Sequence, residues 1–330
     1  MKNFKSCFGL GFLLIVCTLT SLLCGCGALS YPEADNNNDR IKILCAGFSQ
    51  YDWVSNIVKG SDKTEASALY KSGVDIHSFQ ASAADIIKIA DCDMFVFGGG
   101  ESDSALLDIS QNSSNKTQVI FDCMERLGGL VLNEDKSVAP ESGHHEAEEE
   151  ADEHIWLSLK NAASLCQTIT EEIIRLDPNN AKLYKTNADN YISKLNELDL
   201  KYANMIKNAK HKQLVFADRF PFRYLAADYG LECYAAFQGC STETESSFDT
   251  ILYLADTIDK FDLSYVLTID DSQNNVVKAV TDTAEKRDLG VLSLNSLQTV
   301  TDERINSGMT YISAMEDNYE VLKKALDSEE

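Results

Sequence analysis

Short apolar runs alternate with helix-like patterns along most of the chain. The runs read IKILCAGF (41–48), DMFVFGGG (93–100), TQVIFDC (117–123), QLVFAD (213–218), LECYAAF (231–237), YVLTID (265–270) and GVLSLN (290–295). Runs of this length without a polar face are typical of strands buried on both sides, as in parallel sheets. Together with the helices between them, they predict an α/β fold with two lobes, each a small parallel sheet covered by helices.

One long helix separates the first three runs from the last four. It is expected to begin after Asp177-Pro178, a pair that favours a helix start. Apolar or small residues then recur at steps of four and three, at Tyr184, Ala188, Tyr191, Leu195, Leu198, Tyr202 and Met205. This stripe predicts a backbone helix over 178–209 that joins the two lobes. A coiled-coil dimer arm is the rival interpretation, but the flanking α/β lobes favour an intramolecular helix in a monomer.

The patterns divide the chain into segments. We expect an N-terminal α/β lobe over 41–177, the linker helix over 178–209 and a C-terminal α/β lobe over 210–330. Residues 134–153 read EDKSVAPESGHHEAEEEADE and show no hydrophobic period. Such an acidic, polar stretch predicts a mobile loop within the first lobe.

The first 25 residues have the pattern of a secretory signal peptide. Two lysines precede an uncharged apolar run over 8–23, which is short for a transmembrane anchor. The run ends in Leu23-Cys24-Gly25-Cys26, which resembles a bacterial lipobox with Cys26 as the lipidated residue. Residues 26–40 are polar and rich in turn formers, and they predict a flexible tether. The protein is therefore expected at the outer face of the cytoplasmic membrane, held by a lipid anchor.

The chain is strongly acidic, with 29 basic and 52 acidic residues and a formal net charge of −23. A surface this negative repels nucleic-acid phosphates, and no basic patch interrupts it, so we expect no nucleic-acid partner. The acidity suits a cationic ligand instead. The six cysteines that follow Cys26 form no C-x-x-C pair, which argues against a thiolate zinc site. A disulfide between Cys233 and Cys240 is left open.

Only five histidines can supply the imidazole nitrogens that transition metals favour. His77 lies at a loop edge, where it is either a ligand or a hydrogen-bonded cap. His154 ends the acidic loop and is either a ligand or an exposed residue. His144 and His145 lie within that loop and either capture cations loosely or are simply solvated. His211 lies between two lysines and is expected at the surface.

Three segments resemble the motifs of one family. The stretch GVDIHSFQASAADIIKIAD (73–91) is similar to the G-x-D-P-H-x-F-E-P-S stretch of zinc and manganese ABC-transporter solute-binding lipoproteins. DEHIWLSLKNA (152–162) resembles that family's D-P-H-x-W-x-D-P-x-N-A, and FADRFPFRYLAADYGLE (216–232) resembles its third motif. The resemblance extends over 41–330. It implies two four-stranded α/β lobes joined by one long helix, with a metal ion bound in the cleft between them.

The resemblance assigns metal ligands residue by residue. His77 and His154 match the first two metal histidines of the family. The third histidine position falls on Arg219, whose guanidinium stays protonated and cannot coordinate a cation. The third motif therefore departs from the family pattern at the position where it would supply a ligand.

Carboxylates are then expected to complete the site. The candidates are Glu243 and Glu245, with Asp218 as a nearby substitute for the missing histidine. Manganese-type members have an aspartate after the last strand, but the matching place, near Asn295, holds no acid. Two imidazoles with carboxylate oxygens can hold Zn²⁺ tetrahedrally, or Mn²⁺ with more oxygens. The Irving–Williams order and the histidine-containing loop favour zinc.

The implied function is capture of a divalent transition metal, zinc in the first place, for delivery to an ABC permease and its ATPase. No catalysis is expected. FGGGES (97–102) lacks the Gly-Lys-Ser/Thr ending of a phosphate loop, and no H-E-x-x-H motif occurs. The alternatives are a manganese- or iron-specific member of the same family, a surface adhesin involved in cell adhesion, and a secreted metallohydrolase.

Overall fold

The computed structural model describes residues 40–70, 72–134, 150–239, 246–270, 272 and 275–327. Within these ranges the chain forms two four-stranded parallel sheets with helices packed on them. None of the helices in this part of the chain is long and apolar enough to cross a membrane. The predicted signal peptide, the lipidation site Cys26, nearly all of the tether and residues 135–149 of the acidic loop lie outside the described residues.

The first sheet has the strand order β2-β1-β3-β4. Its strands are β1 (Ile41–Cys45), β2 (Thr64–Ala68), β3 (Met94–Phe97) and β4 (Val119–Asp122). Its helices are α1 (Phe48–Ile57), α2 (Ala83–Asp91), α3 (Ser104–Gln111) and α4 (Cys123–Leu127). All four residues of the central strand β3 are buried, which explains its uniformly apolar sequence.

Two long helices connect the sheets. Helix α5 (Leu159–Leu176) begins after Ser158, whose side chain accepts a hydrogen bond from the N–H of Asn161. A 3₁₀ turn over Pro178–Asn180 leads into α6 (Ala181–Asn208). All seven residues of the apolar stripe noted in the sequence are buried, and this face packs on α1 and α5. The long helix thus owes its position to tertiary packing of the stripe.

The second sheet repeats the topology of the first, with the strand order β6-β5-β7-β8. Its strands are β5 (Gln213–Phe220), β6 (Glu232–Gln238), β7 (Tyr265–Ile269) and β8 (Gly290–Leu294). Its helices are α7 (Arg223–Tyr229), α8 (Phe248–Phe261), α9 (Asn275–Thr283), α10 (Asp302–Asn306) and α11 (Tyr311–Ala325). The predicted fold class, two lobes with small parallel sheets joined by a long helix, is confirmed.

One continuous hydrophobic core connects the two lobes. Tyr191 and Leu195 of α6 belong to the same buried cluster as Ile43 of β1 and Phe216 of β5. A smaller core covers the other face of each sheet. Because the lobes share a core, separating them would expose apolar surface, and this favours a small hinge motion over free movement of the lobes.

Candidate metal site

The fold brings His77 and His154 together, although 77 positions separate them in the chain. Their Nε2 atoms lie 3.2 Å apart. Two nitrogens that bind one tetrahedral zinc ion at about 2.0–2.1 Å each lie roughly 3.3 Å from one another. The spacing of the two rings therefore suits a shared ion.

His77 is held by the turn in which it lies. It is the middle residue of a 3₁₀ turn over Ile76–Ser78, and its N–H donates to Oδ1 of Asp75 at 2.9 Å. The Nδ1 atom of its ring lies 2.8 Å from the hydroxyl of Ser102 and 3.7 Å from a carboxylate oxygen of Glu153. Because Nδ1 is engaged with the protein, Nε2 is the atom that faces His154.

His154 is fully buried and precedes a 3₁₀ turn over Ile155–Leu157. Oδ1 of Asp152 accepts its N–H at 2.9 Å and lies 3.1 Å from Nδ1 of its ring. A carboxylate can only accept, so Nδ1 of the neutral ring carries the proton and Nε2 presents a lone pair to the site. A Cβ atom at Gly239 would lie 2.8 Å from Cε1 of this ring, so glycine is required there.

The glycine-rich segment after β3 shapes the site. Gly99 and Gly100 adopt φ values of 94° and 84°, which side chains rarely adopt. The turn that follows lets the N–H of Ser102 donate to Oε1 of Glu153 at 2.9 Å, while its hydroxyl contacts His77. FGGGES is therefore a tight turn that positions groups behind the rings, and it has no phosphate-binding sequence.

The electrostatic setting keeps His77 available to a cation. Burial, followed by the proximity of His154, lowers the pKa of His77 to about 4. The imidazole is therefore neutral near pH 7, which is the form that binds metal ions. The carboxylates of Asp152 and Glu153 lie beside the Nδ1 atoms of the two rings and offset the charge of a bound cation, and that of Asp75 accepts the backbone N–H of His77.

A third side chain, Gln298, meets both histidines, and the sequence motifs did not point to it. Its Nε2 atom lies 2.9 Å from Nε2 of His77 and 2.5 Å from Nε2 of His154. Gln298 follows the carboxyl end of β8, three residues beyond Asn295, where the family pattern led us to look for an acid. Its position just after a parallel strand is a signal that could have identified it, because ligands bind at that edge of α/β sheets.

Asp218 and Arg219, at the end of β5, are used in other contacts. The Asp218 carboxylate accepts the N–H of Ile269 at 3.4 Å and the hydroxyl of Ser272. Arg219 Nη2 lies 3.3 Å from Oδ2 of Asp75, on the loop that carries the first histidine. Among the residues that the structure describes, no group of three His, Cys, Asp or Glu side chains is placed to hold a metal ion. Asp218 is thus not brought together with the two histidines.

Several predicted residues lie outside the described part of the chain. They are the candidate ligands Glu243 and Glu245, the loop residues His144 and His145, the lipidation site Cys26, and Cys240 of the disulfide left open above. Their roles stay predictions.

Curated relatives of the chain are zinc proteins. It is 29% identical over 316 residues to the zinc-binding lipoprotein AdcA of Streptococcus pneumoniae, covering 94% of this chain and 61% of AdcA. It is 26% identical over 323 residues to the high-affinity zinc uptake system protein ZnuA of Bacillus subtilis, covering 98% of each. The chain thus spans about three fifths of AdcA and nearly all of the Bacillus protein.

Solved structures and a family model agree with these relatives. The crystal structure of the Zn(II)-bound ZnuA-like domain of Streptococcus pneumoniae AdcA superposes with a TM-score of 0.67 at 25% identity, covering 88% of this chain and all of that domain. The model of ZnuA, the periplasmic component A of the zinc-uptake complex, matches residues 43–325. The chain therefore belongs to the ZnuA family.

Proposed function

We propose that the protein captures zinc at His77 and His154 and delivers it to an ABC permease for uptake. The observation that carries this proposal is the distance of 3.2 Å between the two Nε2 atoms, with each Nδ1 held by the protein. Such an arrangement is preorganised for a cation, because the outer contacts fix the orientation of both rings. The function is binding and transfer, without catalysis.

Zinc is favoured over manganese and iron. The two ring nitrogens are ligands that suit zinc, whereas manganese prefers oxygen. Relatives are named for zinc, and one of the structural neighbours carries Zn(II). Glu243 and Glu245 remain proposed oxygen ligands, and His144 and His145 remain proposed sites of loose cation capture.

We further propose that the protein works outside the cytoplasm on a lipid anchor at Cys26. The support is the lipobox-like sequence, the description of the family as periplasmic, and the lipoprotein name of the pneumococcal relative. An anchored monomer would deliver its ion to the permease and ATPase of the same transporter.

The proposal is tested by zinc titration of the purified protein against a competing chelator. The wild type is expected to bind one zinc ion at the site. His77→Ala and His154→Ala should each weaken binding by about 100-fold or more, since loss of an outer-shell partner alone costs about 10–100-fold. The same variants should fail to restore zinc-dependent uptake to cells that lack the protein.

His211→Ala is the matched control, because His211 lies outside the site and its backbone N–H pairs with Leu326. It should bind zinc as the wild type does. Undiminished zinc stoichiometry and affinity in a His77→Ala/His154→Ala double variant would contradict the proposed function. If the same titration with manganese or iron shows tighter binding than with zinc, that metal and not zinc is the cargo.

A further inference from the structure

We propose that Glu153 sets the proton position on the first histidine, so that Nε2 of His77 offers a lone pair to the cation. Glu153 is a positioning residue, because its carboxylate lies beside Nδ1, the ring nitrogen that does not face the site. The inference rests on the proposed function, since it concerns the same ion. It also concerns a departure from the family motif, because D-P-H-x-W has a proline at the position of Glu153.

The carboxylate of Glu153 lies beside His77, although the residue is the chain neighbour of His154. Its Oε2 atom is 3.7 Å from Nδ1 of His77, and its Oε1 atom accepts the N–H of Ser102 at 2.9 Å. The distance to Nδ1 is too long for a hydrogen bond, so the carboxylate acts on the ring through its charge. Glu153 is only 5% exposed, and solvent ions therefore screen this charge little.

The backbone makes room for this carboxylate. Gly100 has a φ of 84°, and a Cβ atom there would lie 2.5 Å from Oε1 of Glu153 and 2.6 Å from its Cγ. Any larger residue at this position would displace the glutamate and strain the turn. The same turn then brings the N–H of Ser102 to the carboxylate. The fold therefore fixes the position of Glu153 beside the ring.

The hydroxyl of Ser102 is the direct partner of Nδ1, at 2.8 Å, but it does not decide where the proton lies. A hydroxyl both donates and accepts, so it serves either tautomer of a neutral imidazole. In one tautomer, Nδ1–H of His77 donates to Ser102 and Nε2 is bare. In the other, Ser102 donates to Nδ1, and Nε2–H of His77 points at Nε2 of His154, 3.2 Å away. The second tautomer closes the site to a cation, because a protonated nitrogen has no lone pair to give.

The charge of Glu153 favours the tautomer that binds. A negative oxygen attracts the N–H bond of a protonated Nδ1 and repels the lone pair of a bare one. The contact on the other side of the ring agrees, because the NH₂ group of Gln298 lies 2.9 Å from Nε2 of His77 and can only donate. The two histidines thus reach one protonation pattern in different ways. Asp152 contacts the ring of His154 directly, whereas Glu153 acts on the other ring through space.

The experiment determines the tautomer of His77 from long-range ¹H–¹⁵N NMR spectra of the zinc-free protein, because protonated and bare ring nitrogens differ in ¹⁵N shift. The signals are assigned by their loss in His77→Gln, and the wild type should carry the proton on Nδ1. Glu153→Gln keeps the shape and the acceptor for Ser102 but removes the charge, so the proton should move to Nε2 in most molecules. Its zinc affinity should fall by about tenfold or more, because only the competent fraction binds and an outer-shell partner is worth about 10–100-fold.

Two further variants separate this role from a structural one. Glu172→Gln is the matched control, since Glu172 is a buried glutamate of α5 whose carboxylate pairs with Arg126 of α4 at 3.4 Å. It should retain the tautomer and the zinc affinity of the wild type. Ser102→Ala removes the hydroxyl but keeps the N–H that holds Glu153, so the proton of His77 should stay on Nδ1.

Three results would overturn the inference while leaving the proposed function intact. The first is a wild type that carries the proton on Nε2 of His77. The second is a Glu153→Gln variant that keeps the Nδ1 proton or binds zinc within about twofold of the wild type. The third is an equal change of tautomer in Ser102→Ala or Glu172→Gln, which would assign the effect to the hydroxyl or to the loss of any buried charge. A wild type that binds no zinc would instead refute the proposed function, and the inference with it.

Discussion

The two sheets share one topology but bring different chemistry to the edge where their strands end. The first lobe presents His77 on a turn that Asp75 caps, with Glu153 behind its ring. The second lobe presents an amide, Gln298, and a cation, Arg219, which pairs with Asp75 across the cleft. Repetition of a fold thus determines where a site forms, whereas the residues at that edge determine what it binds.

Two buried carboxylates, one in each lobe, also have different roles. Asp152 contacts the ring of His154, whereas Asp218 joins the ends of β5 and β7 through Ile269. We expect Asp152→Ala to weaken zinc binding by about 10–100-fold, because the ring loses the partner that fixes its protonated nitrogen. Chelator competition measures this effect.

Asp218→Ala is the matched control from the second lobe. It removes a carboxylate that is also buried, at 7% exposure against 2% for Asp152. It should lower the thermal stability but change zinc affinity by less than about threefold, an effect below 1 kcal/mol. If both variants lose the same zinc affinity, the two carboxylates do not differ in role, and Asp218 is again a candidate zinc ligand.

Arg219→His makes the second lobe chemically more like the first. The change removes a positive charge beside the site and places an imidazole at the position where the family motif has one. We expect zinc affinity to rise on the order of tenfold, since unlike a guanidinium a histidine can coordinate and does not repel the ion. The ion pair with Asp75 is partly exposed, and its loss should cost no more than about 1 kcal/mol of stability.

Arg175→His provides the control for this change, because Arg175 is an exposed residue of α5 that pairs with Glu172. Its zinc affinity should equal that of the wild type. If Arg219→His binds zinc no better than this control, Arg219 neither opposes the ion nor stands at a usable ligand position.

The pH dependence of His77 changes the stability of the zinc-free protein, whereas the substitutions above change zinc affinity. Its pKa of about 4 in the zinc-free fold compares with about 6.5 in an unfolded chain. Between these values the unfolded state binds more protons, so His77 lowers stability as the pH falls from about 6.5 to 4. Asp103, whose pKa burial raises to about 6, acts in the opposite direction.

NMR titration of the His77 ring isolates its contribution. The zinc-free protein should show a midpoint near 4, and His77→Gln should lose less stability than the wild type between pH 6.5 and 4. A midpoint near 6.5 would mean that water reaches the ring and that the first lobe does not hold it in a dehydrated, neutral form.

Much of this fold could be predicted because its signals are local. The apolar strands and the stripe on α6 reflect burial, which leaves a period in the sequence. The capping box of α2, in which Ser82 and Asp85 bond reciprocally, is also a local pattern. The strand β2 was missed because it lies at a sheet edge and reads TEASA, with no large apolar residue.

The site was only partly predictable because its remaining contacts are tertiary. The histidines follow from the motifs, but only the packing of its loop places Gln298 against both rings. The pairing of Arg219 with Asp75 likewise joins residues that are 144 positions apart in the chain. Such contacts produce no periodic pattern or fixed spacing in the sequence, so the sequence alone does not predict them.

The central claim is that one ion binds both imidazoles, and X-ray absorption at the zinc edge tests it most directly. In the wild type loaded with one equivalent of zinc, the spectrum should show two imidazole ligands at about 2.0–2.1 Å, with the remaining ligands oxygen. His77→Ala and His154→Ala should each reduce the count to one. A spectrum with one imidazole or none in the wild type would contradict the account.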